Sequence, residues 1–467
     1  MAAPEISVPP WEARLISALV FVTVIFALLP SGFSWKDVED ASHVVDGSIE
    51  VKLQWGSVFA VSFFVVARHR ALALADLRAT NPFLLAMFAY CALSVLWSPV
   101  DSVTIKKVIQ FAGLIALALA VQADGRPWTH FVQVILSALT AIELASAITA
   151  LVFPSQGIDW YFGYAWRGIV SGKNALGAIG ALSVLIWVSL WQVYAGRRWA
   201  FWSGVVLSLL CVVMSKSSTS ITIAALGLFS FWLLRKQHIG SRLWLLRLFM
   251  VAALIVLLAT HLFFIQEGRL PERSEILEPF ANLFGKSADL TGRSDIWEPL
   301  MVEIGKHWLL GIGYAAFWLG PGSPSQPILD TLPWIPFQAH NGYLDVLNEL
   351  GAVGAVLFLG LIVTHGRHLF QLMRYDRPAA ALFSSIFVTI LFSNLTESSV
   401  FRGVTFPFLL MILTCVSVTT ALRRRQWATA VVPAARPSPP IRPRQPQTAR
   451  ATGTARARLA KDVRRTV

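Results

Sequence analysis

The chain has 467 residues, of which 55% are hydrophobic and only 14% charged, with a mean hydropathy of +0.62. A soluble globular chain carries about a quarter charged residues, so a water-soluble enzyme or binding module is excluded. The net charge of +13 would point to nucleic acid in a soluble protein, but here the basic residues stand between apolar runs and read as topology, with no nucleic-acid partner.

Those apolar runs are continuous, without the alternation of an outer-membrane barrel, and in lipid each must satisfy its own backbone groups as a helix. The fold class expected is therefore all-α, a polytopic transmembrane helical bundle of about twelve spans. They fall near residues 15–30, 52–67, 82–98, 105–122, 128–152, 174–194, 199–214, 218–234, 243–266, 341–363, 379–395 and 404–421. No small-x-small cleavage site follows Leu28-Leu29-Pro30, so the first span is expected to remain as an anchor. Cys91, Cys211 and Cys415 each lie inside an apolar run without CxxC spacing and are expected to be buried hydrophobes.

Alternating the loops from a cytoplasmic N-terminus gathers Arg68/Arg70/Arg78, Arg126, Arg197/Arg198, Arg235/Lys236/Arg242/Arg247, Arg367/Arg374/Arg377 and Arg423-Arg424-Arg425 on one side. The positive-inside rule makes that side the cytoplasm, with both termini on it, in a bacterial inner membrane. The opposite side receives the acidic stretch Asp37–Glu50, a loop at 153–173 and the longest polar insertion, 267–340, between spans 9 and 10. That insertion is expected to be a large periplasmic loop carrying function. The domains expected are a transmembrane unit over 1–421, this loop included, and a basic, disordered cytoplasmic tail over 422–467.

Chemistry-bearing residues stand at three helix entrances on the loop side. In Trp166-Arg167-Gly168 leading to Lys173-Asn174, Asn174 is a candidate N-cap of the sixth span. A guanidinium, an ammonium and a helix N-terminus together would suit an anion; equally, Arg167 could be an interfacial anchor among Trp160, Tyr161, Phe162, Tyr164 and Trp166. Thr291-Gly292-Arg293 precedes a short amphipathic stretch that Ser294 or Asp295 can cap, with a solvated arginine as the bland alternative.

His340-Asn341 opens the tenth span, where Asn341 can cap the helix and its dipole would favour a neutral, proton-accepting His340. Asp345 and Glu349 follow one turn apart on one face. Metal ligation by His340, Asp345 and Glu349 lacks any recognised ligand spacing, so no metal and no cofactor is expected. Glu143 and His261, isolated in spans, are expected to be paired structurally or to sit at the interface.

In these motifs the chain resembles the O-antigen ligase and polymerase superfamily, particularly its exopolysaccharide-polymerase branch. The likeness extends to Trp97-Ser98-Pro99, Ser215-Lys216-Ser217-Ser218-Thr219, Leu310-Gly311-Ile312-Gly313-Tyr314, Glu349-Leu350-Gly351 and Asn394-Leu395-Thr396-Glu397-Ser398, and so covers most of residues 80–400. It implies a metal-independent glycosyltransferase that moves a saccharide from a polyprenyl diphosphate carrier to a sugar hydroxyl on the periplasmic side.

By this resemblance Arg167 and Arg293 bind the diphosphate, His340 deprotonates the acceptor, and Lys173, Asn174, Asn341, Asp345 and Glu349 support them. One in-line displacement would invert the anomeric centre. Its partners would be the lipid-linked oligosaccharide donor, a saccharide acceptor and the lipid bilayer, with a chain-length regulator and a flippase as candidate protein partners. Lys173 stands where the lipopolysaccharide ligases commonly have proline, which favours a polymerase. A ligase acting on a lipid-linked core sugar is the alternative, and from another class a polysaccharide or lipid-linked-sugar transporter, which should instead show broken helices or charges at mid-membrane.

Overall fold

The computed structural model of the protein describes residues 8–30, 48–235 and 293–431. The expected ninth span, His261, the acidic stretch up to Asp46, the first part of the large loop and the C-terminal tail beyond residue 431 lie outside the described residues.

Among the described residues the chain is helical, with one two-stranded hairpin. The longer helices are α1 (Pro10–Leu28), α2 (Ile49–Arg68), α3 (Arg70–Ala79), α4 (Pro82–Leu93), α5 (Asp101–Gln122), α6 (Trp128–Val152), α7 (Lys173–Ser189), α8 (Arg198–Met214) and α9 (Ser218–Arg235), followed from 293 by α10 (Arg293–Lys306), α11 (Gly342–Leu372), α12 (Arg377–Ser393) and α13 (Phe406–Val431). Strands β1 (Ile158–Asp159) and β2 (Ala165–Trp166) pair antiparallel between α6 and α7. Local chemistry sets several starts. Asn81 caps α4 through Phe83 N, and Asp376 caps α12 through Ala379 N. A proline occupies the first turn in each case, where its missing N–H is no loss.

Six of these helices are long and apolar enough to cross a bilayer, and α3 with α4 form a further pair bent by 97°. Helices α7, α8, α9 and α12 are apolar but shorter. At 1.5 Å per residue, 17 residues reach about 26 Å, the lower limit for a hydrocarbon core of about 30 Å. The helices pack as one bundle: α7 contacts α6, α8, α9 and α12, while α13 contacts α4's neighbours α5 and α11. Met411, Ile412, Cys415, Val416 and Val418 of α13 have no exposed surface. All three cysteines are buried and free, as the sequence suggested.

The two ends of the bundle differ in charge. At the arginine-rich end, Arg423 pairs with Asp76 of α3 at 2.6 Å, and Arg68 and His69 meet the buried Glu12. The arginine run therefore stands on α13, which continues past residue 421 to Val431. Midway along the bundle, Glu143 of α6 accepts a hydrogen bond from Ser208 of α8 at 2.9 Å, a structural pairing of the kind expected for it.

At the other end α11 is interrupted. Gly351 has φ +62° within the helix, and the carbonyls released there are taken by the preceding loop. Ile312 N donates to Asn348 O at 3.1 Å and Gly313 N to Glu349 O at 2.9 Å, while Ala352 N and Val353 N donate to Trp308 O and Leu309 O. A Cβ at Gly351 would lie 2.4 Å from Leu309 O, and one at Gly311 2.3 Å from Glu349 O. The Leu310–Tyr314 and Glu349–Gly351 motifs are thus two halves of one joint.

Candidate functional site

Residues 337–341 form an irregular segment leading into α11, and the other motifs converge on it. His340 has φ +51°, a left-handed backbone that is uncommon for a residue with a Cβ. Its Nδ1 lies 3.0 Å from Glu397 Oε2. Gln338 Nε2 also donates to Glu397 Oε2, at 2.8 Å, while Gln338 Oε1 accepts from Ser398 N. Since the Gln338 amide is oriented by Ser398, its NH2 faces Glu397 and the imidazole (3.2 Å). A carboxylate facing Nδ1 favours the tautomer that carries its proton there, in which Nε2 is the proton-accepting nitrogen.

Several of the motifs meet around this segment. Asn341 caps α11, accepting from Tyr343 N at 3.0 Å and Leu344 N at 3.3 Å. Asn394 O accepts from Gly342 N at 2.8 Å, and a Cβ at Gly342 would lie 2.1 Å from the Asn394 side chain. Asn174 Nδ2 reaches Glu397 Oε1 at 3.5 Å. Trp297, one turn along α10 from Arg293, donates its Nε1 to Ala339 O at 2.8 Å. Thr104 bridges Ser98 to Tyr314 O, anchoring the joint below. Burial holds the Tyr314 hydroxyl well above the usual phenol range.

Several expectations need correcting. Asn174 does not cap α7, which begins at Lys173; standing inside the first turn, it is free to turn toward Glu397. Ser294 and Asp295 likewise lie inside α10, which begins at Arg293. The aromatic group around Arg167 is divided, with Trp166 buried and Trp160, Tyr161, Phe162 and Tyr164 exposed on the hairpin tip. Lys173 Nζ lies 4.5 Å over the Phe162 ring. Asp345 and Glu349 do share a buried face, but they point at protein donors: Trp318 Nε1, Ala339 N and Arg402 for Asp345, and Ala315 N for Glu349.

Arg167 is anchored by its Nε to Gln156 O at 2.8 Å. Among the described residues it makes no hydrogen bond or ion pair with the His340 cluster. It stands five residues before Gly172, which lines a cavity of about 450 Å³ between α7, α9, α12 and α13. Asn174, Gln338 and Glu397 line this cavity at its polar end, and Leu185, Ile386 and Leu410 line its apolar part. Arg293 contributes its backbone to the first turn of α10, whose Trp297 is fastened to the His340 segment.

Gln338 and Arg402 escaped the sequence reading. Both stand in irregular segments, and only the fold brings 338 to 397 and 345 to 402. Among the described residues, no group of three or more His, Cys, Asp or Glu is arranged to hold a metal ion.

Residues 203–359 match the O-antigen ligase family, a stretch that contains Arg293 and His340. The chain is also similar to the exopolysaccharide production protein ExoQ of Rhizobium meliloti (strain 1021), with 23% identity over 294 residues. The aligned part covers 60% of this chain and spans only 63% of the length of that relative. Both findings support the O-antigen ligase and polymerase superfamily, with its exopolysaccharide branch.

Proposed function

We propose that this multi-pass membrane protein of the O-antigen ligase and polymerase superfamily is an inner-membrane polysaccharide polymerase. It transfers a polyprenyl-diphosphate-linked saccharide to the sugar hydroxyl of another lipid-linked repeat unit. The observation that carries the reading is the pairing of His340 with Glu397, a carboxylate that itself lines the polar end of an apolar cavity between helices. The similarity to an exopolysaccharide production protein favours the polymerase.

In the proposed reaction the acceptor hydroxyl gives its proton to Nε2 of His340 while its oxygen attacks the anomeric carbon. The bond from that carbon to the diphosphate oxygen breaks, and the diphosphate leaves with the electron pair. Glu397 stabilises the imidazolium that forms. Arg167 and Arg293 hold the departing diphosphate, a task suited to paired donors that keep their charge. The polyprenyl chain occupies the apolar part of the cavity. We take the site to be metal-independent and to face the periplasm, with twelve spans and both termini in the cytoplasm.

The deciding experiment is the carbohydrate that accumulates on the lipid carrier in a deletion strain. Single repeat units on the carrier are expected. Full-length chains would indicate a ligase instead, and unchanged carrier-linked material would remove the glycosyltransferase reading.

A further inference from the structure

Although residues 337–341 have no regular secondary structure, their backbone is held at several points. Arg402 Nη2 donates to Phe337 O, and its Nη1 donates to Asp345 Oδ2 at 3.1 Å. Asp345, 3% exposed, also accepts from Ala339 N at 3.3 Å and from Trp318 Nε1 at 2.7 Å. One carboxylate and one guanidinium therefore grip the backbone on both sides of Gln338, immediately before the left-handed His340. Backbone in that region persists for a non-glycine residue only where the surroundings enforce it.

Arg402 is itself aimed inward by a tight turn. Phe401 and Gly403 on its flanks have φ +61° and +71°, and a Cβ at Gly403 would lie 2.9 Å from Gln110 Oε1 and 3.0 Å from Lys107 Nζ. With both terminal nitrogens of its guanidinium committed to Phe337 and Asp345, Arg402 differs from a diphosphate-binding arginine, whose fork must be open. Its planar fork is what spans a carbonyl and a carboxylate at once; a lysine would reach one of them.

We infer that Asp345 and Arg402 are positioning residues for His340, holding the Phe337–Ala339 backbone so that the imidazole meets Glu397 with Nε2 turned to the acceptor. The inference rests on His340 being the base. Misplacing a catalytic group by about 1 Å can cost on the order of 10²-fold in rate. Arg402→Lys and Asp345→Asn should therefore lower kcat by that order with KM within about twofold.

The test uses the full-length protein in membranes for abundance and saccharide transfer. In purified form it carries ¹³C-labelled histidine, the His340 ring signal being identified by its loss in His340→Ala. Arg402→Lys is expected to move that signal at normal abundance. The double variant should be no worse than either single one, because one latch is broken in all three. If Arg402→Lys does not accumulate, Asp345→Asn, which keeps the side-chain shape, carries the same measurement. An unmoved His340 signal, or fully multiplicative losses, overturns the inference. Full turnover in His340→Ala would instead sink the assignment of the base, while the ring signal would still report whether the latch exists.

Discussion

Nδ1 of His340 and Oε2 of Glu397 lie 3.0 Å apart although 57 residues separate them in the chain. A carboxylate on one ring nitrogen fixes the tautomer and supports the positive charge that appears when the other nitrogen takes a proton. Replacing Glu397 by Gln removes that charge and offers an amide that can equally present a donor to Nδ1. Transfer should fall on the order of 10²-fold in kcat with KM little changed. Protein abundance should be normal, since the Glu397 side chain is 30% exposed. Normal turnover by Glu397→Gln in isolated membranes would remove it from the mechanism.

His340→Ala is expected to lose about 10²–10⁴ in rate, the usual contribution of general base catalysis, while reaching the membrane at normal level. A quarter of its side chain is exposed, so truncation opens no sealed core cavity. Measuring abundance and transfer on one preparation separates a base from a packing residue, for which abundance would fall and activity per molecule would not.

Gly351→Ala should act on the fold. A left-handed backbone at a residue with a Cβ costs about 1–3 kcal/mol, and here the new Cβ would also meet Leu309 O at 2.4 Å. The joint that seats Leu310–Tyr314 against α11 would open, with a lower melting temperature and reduced abundance. Gly305→Ala, where a Cβ meets nothing within 4 Å, is the control and should change neither.

The helical character and the entrance at Asn341 were legible because apolar runs and a capping asparagine are local signals, whereas α7 starts one residue before the cap expected for it. The motif positions were legible too, but not what the motifs do to one another. That Gly311 docks on Glu349, or that Asn174 turns from capping to Glu397, depends on helices far apart in sequence. Span lengths were legible only in part, because hydropathy registers the apolar run in α7 or α12 but not where the helix stops. Arg402 was hidden for a further reason: in a chain whose charge pattern follows topology, an arginine in a short turn resembles its neighbours until Asp345 is found beside it.

The topology predicts opposite labelling of two exposed positions. Tyr161, 90% exposed, stands on the hairpin between α6 and α7, and Tyr375, 55% exposed, lies between α11 and α12 at the arginine-rich end. The native cysteines are buried, so single Tyr161→Cys and Tyr375→Cys variants should label cleanly with a membrane-impermeant reagent. In intact cells Tyr161→Cys is expected to react and Tyr375→Cys only after lysis. Reaction of both from outside would contradict the alternation of the loops.

The diphosphate assignment makes a prediction about side-chain shape. Arg167 is fixed by its Nε to Gln156 O, which leaves its terminal nitrogens for two oxygens of one ligand, and the backbone N–H groups of Arg167 and Gly168 are already spent on Gly157 O. The side chain must then supply the contact. Lysine keeps the charge but loses the fork, so Arg167→Lys and Arg293→Lys should be nearly as damaging as the alanine variants, by on the order of 10²-fold or more, with the donor dependence most affected. If charge alone mattered, as for an anchor at the membrane surface, lysine would restore activity. A chelator added to the wild-type protein should leave transfer unchanged when two guanidiniums carry the diphosphate. Full activity in both lysine variants, or loss with chelator and recovery with a divalent ion, would transfer that role from the arginines to a metal.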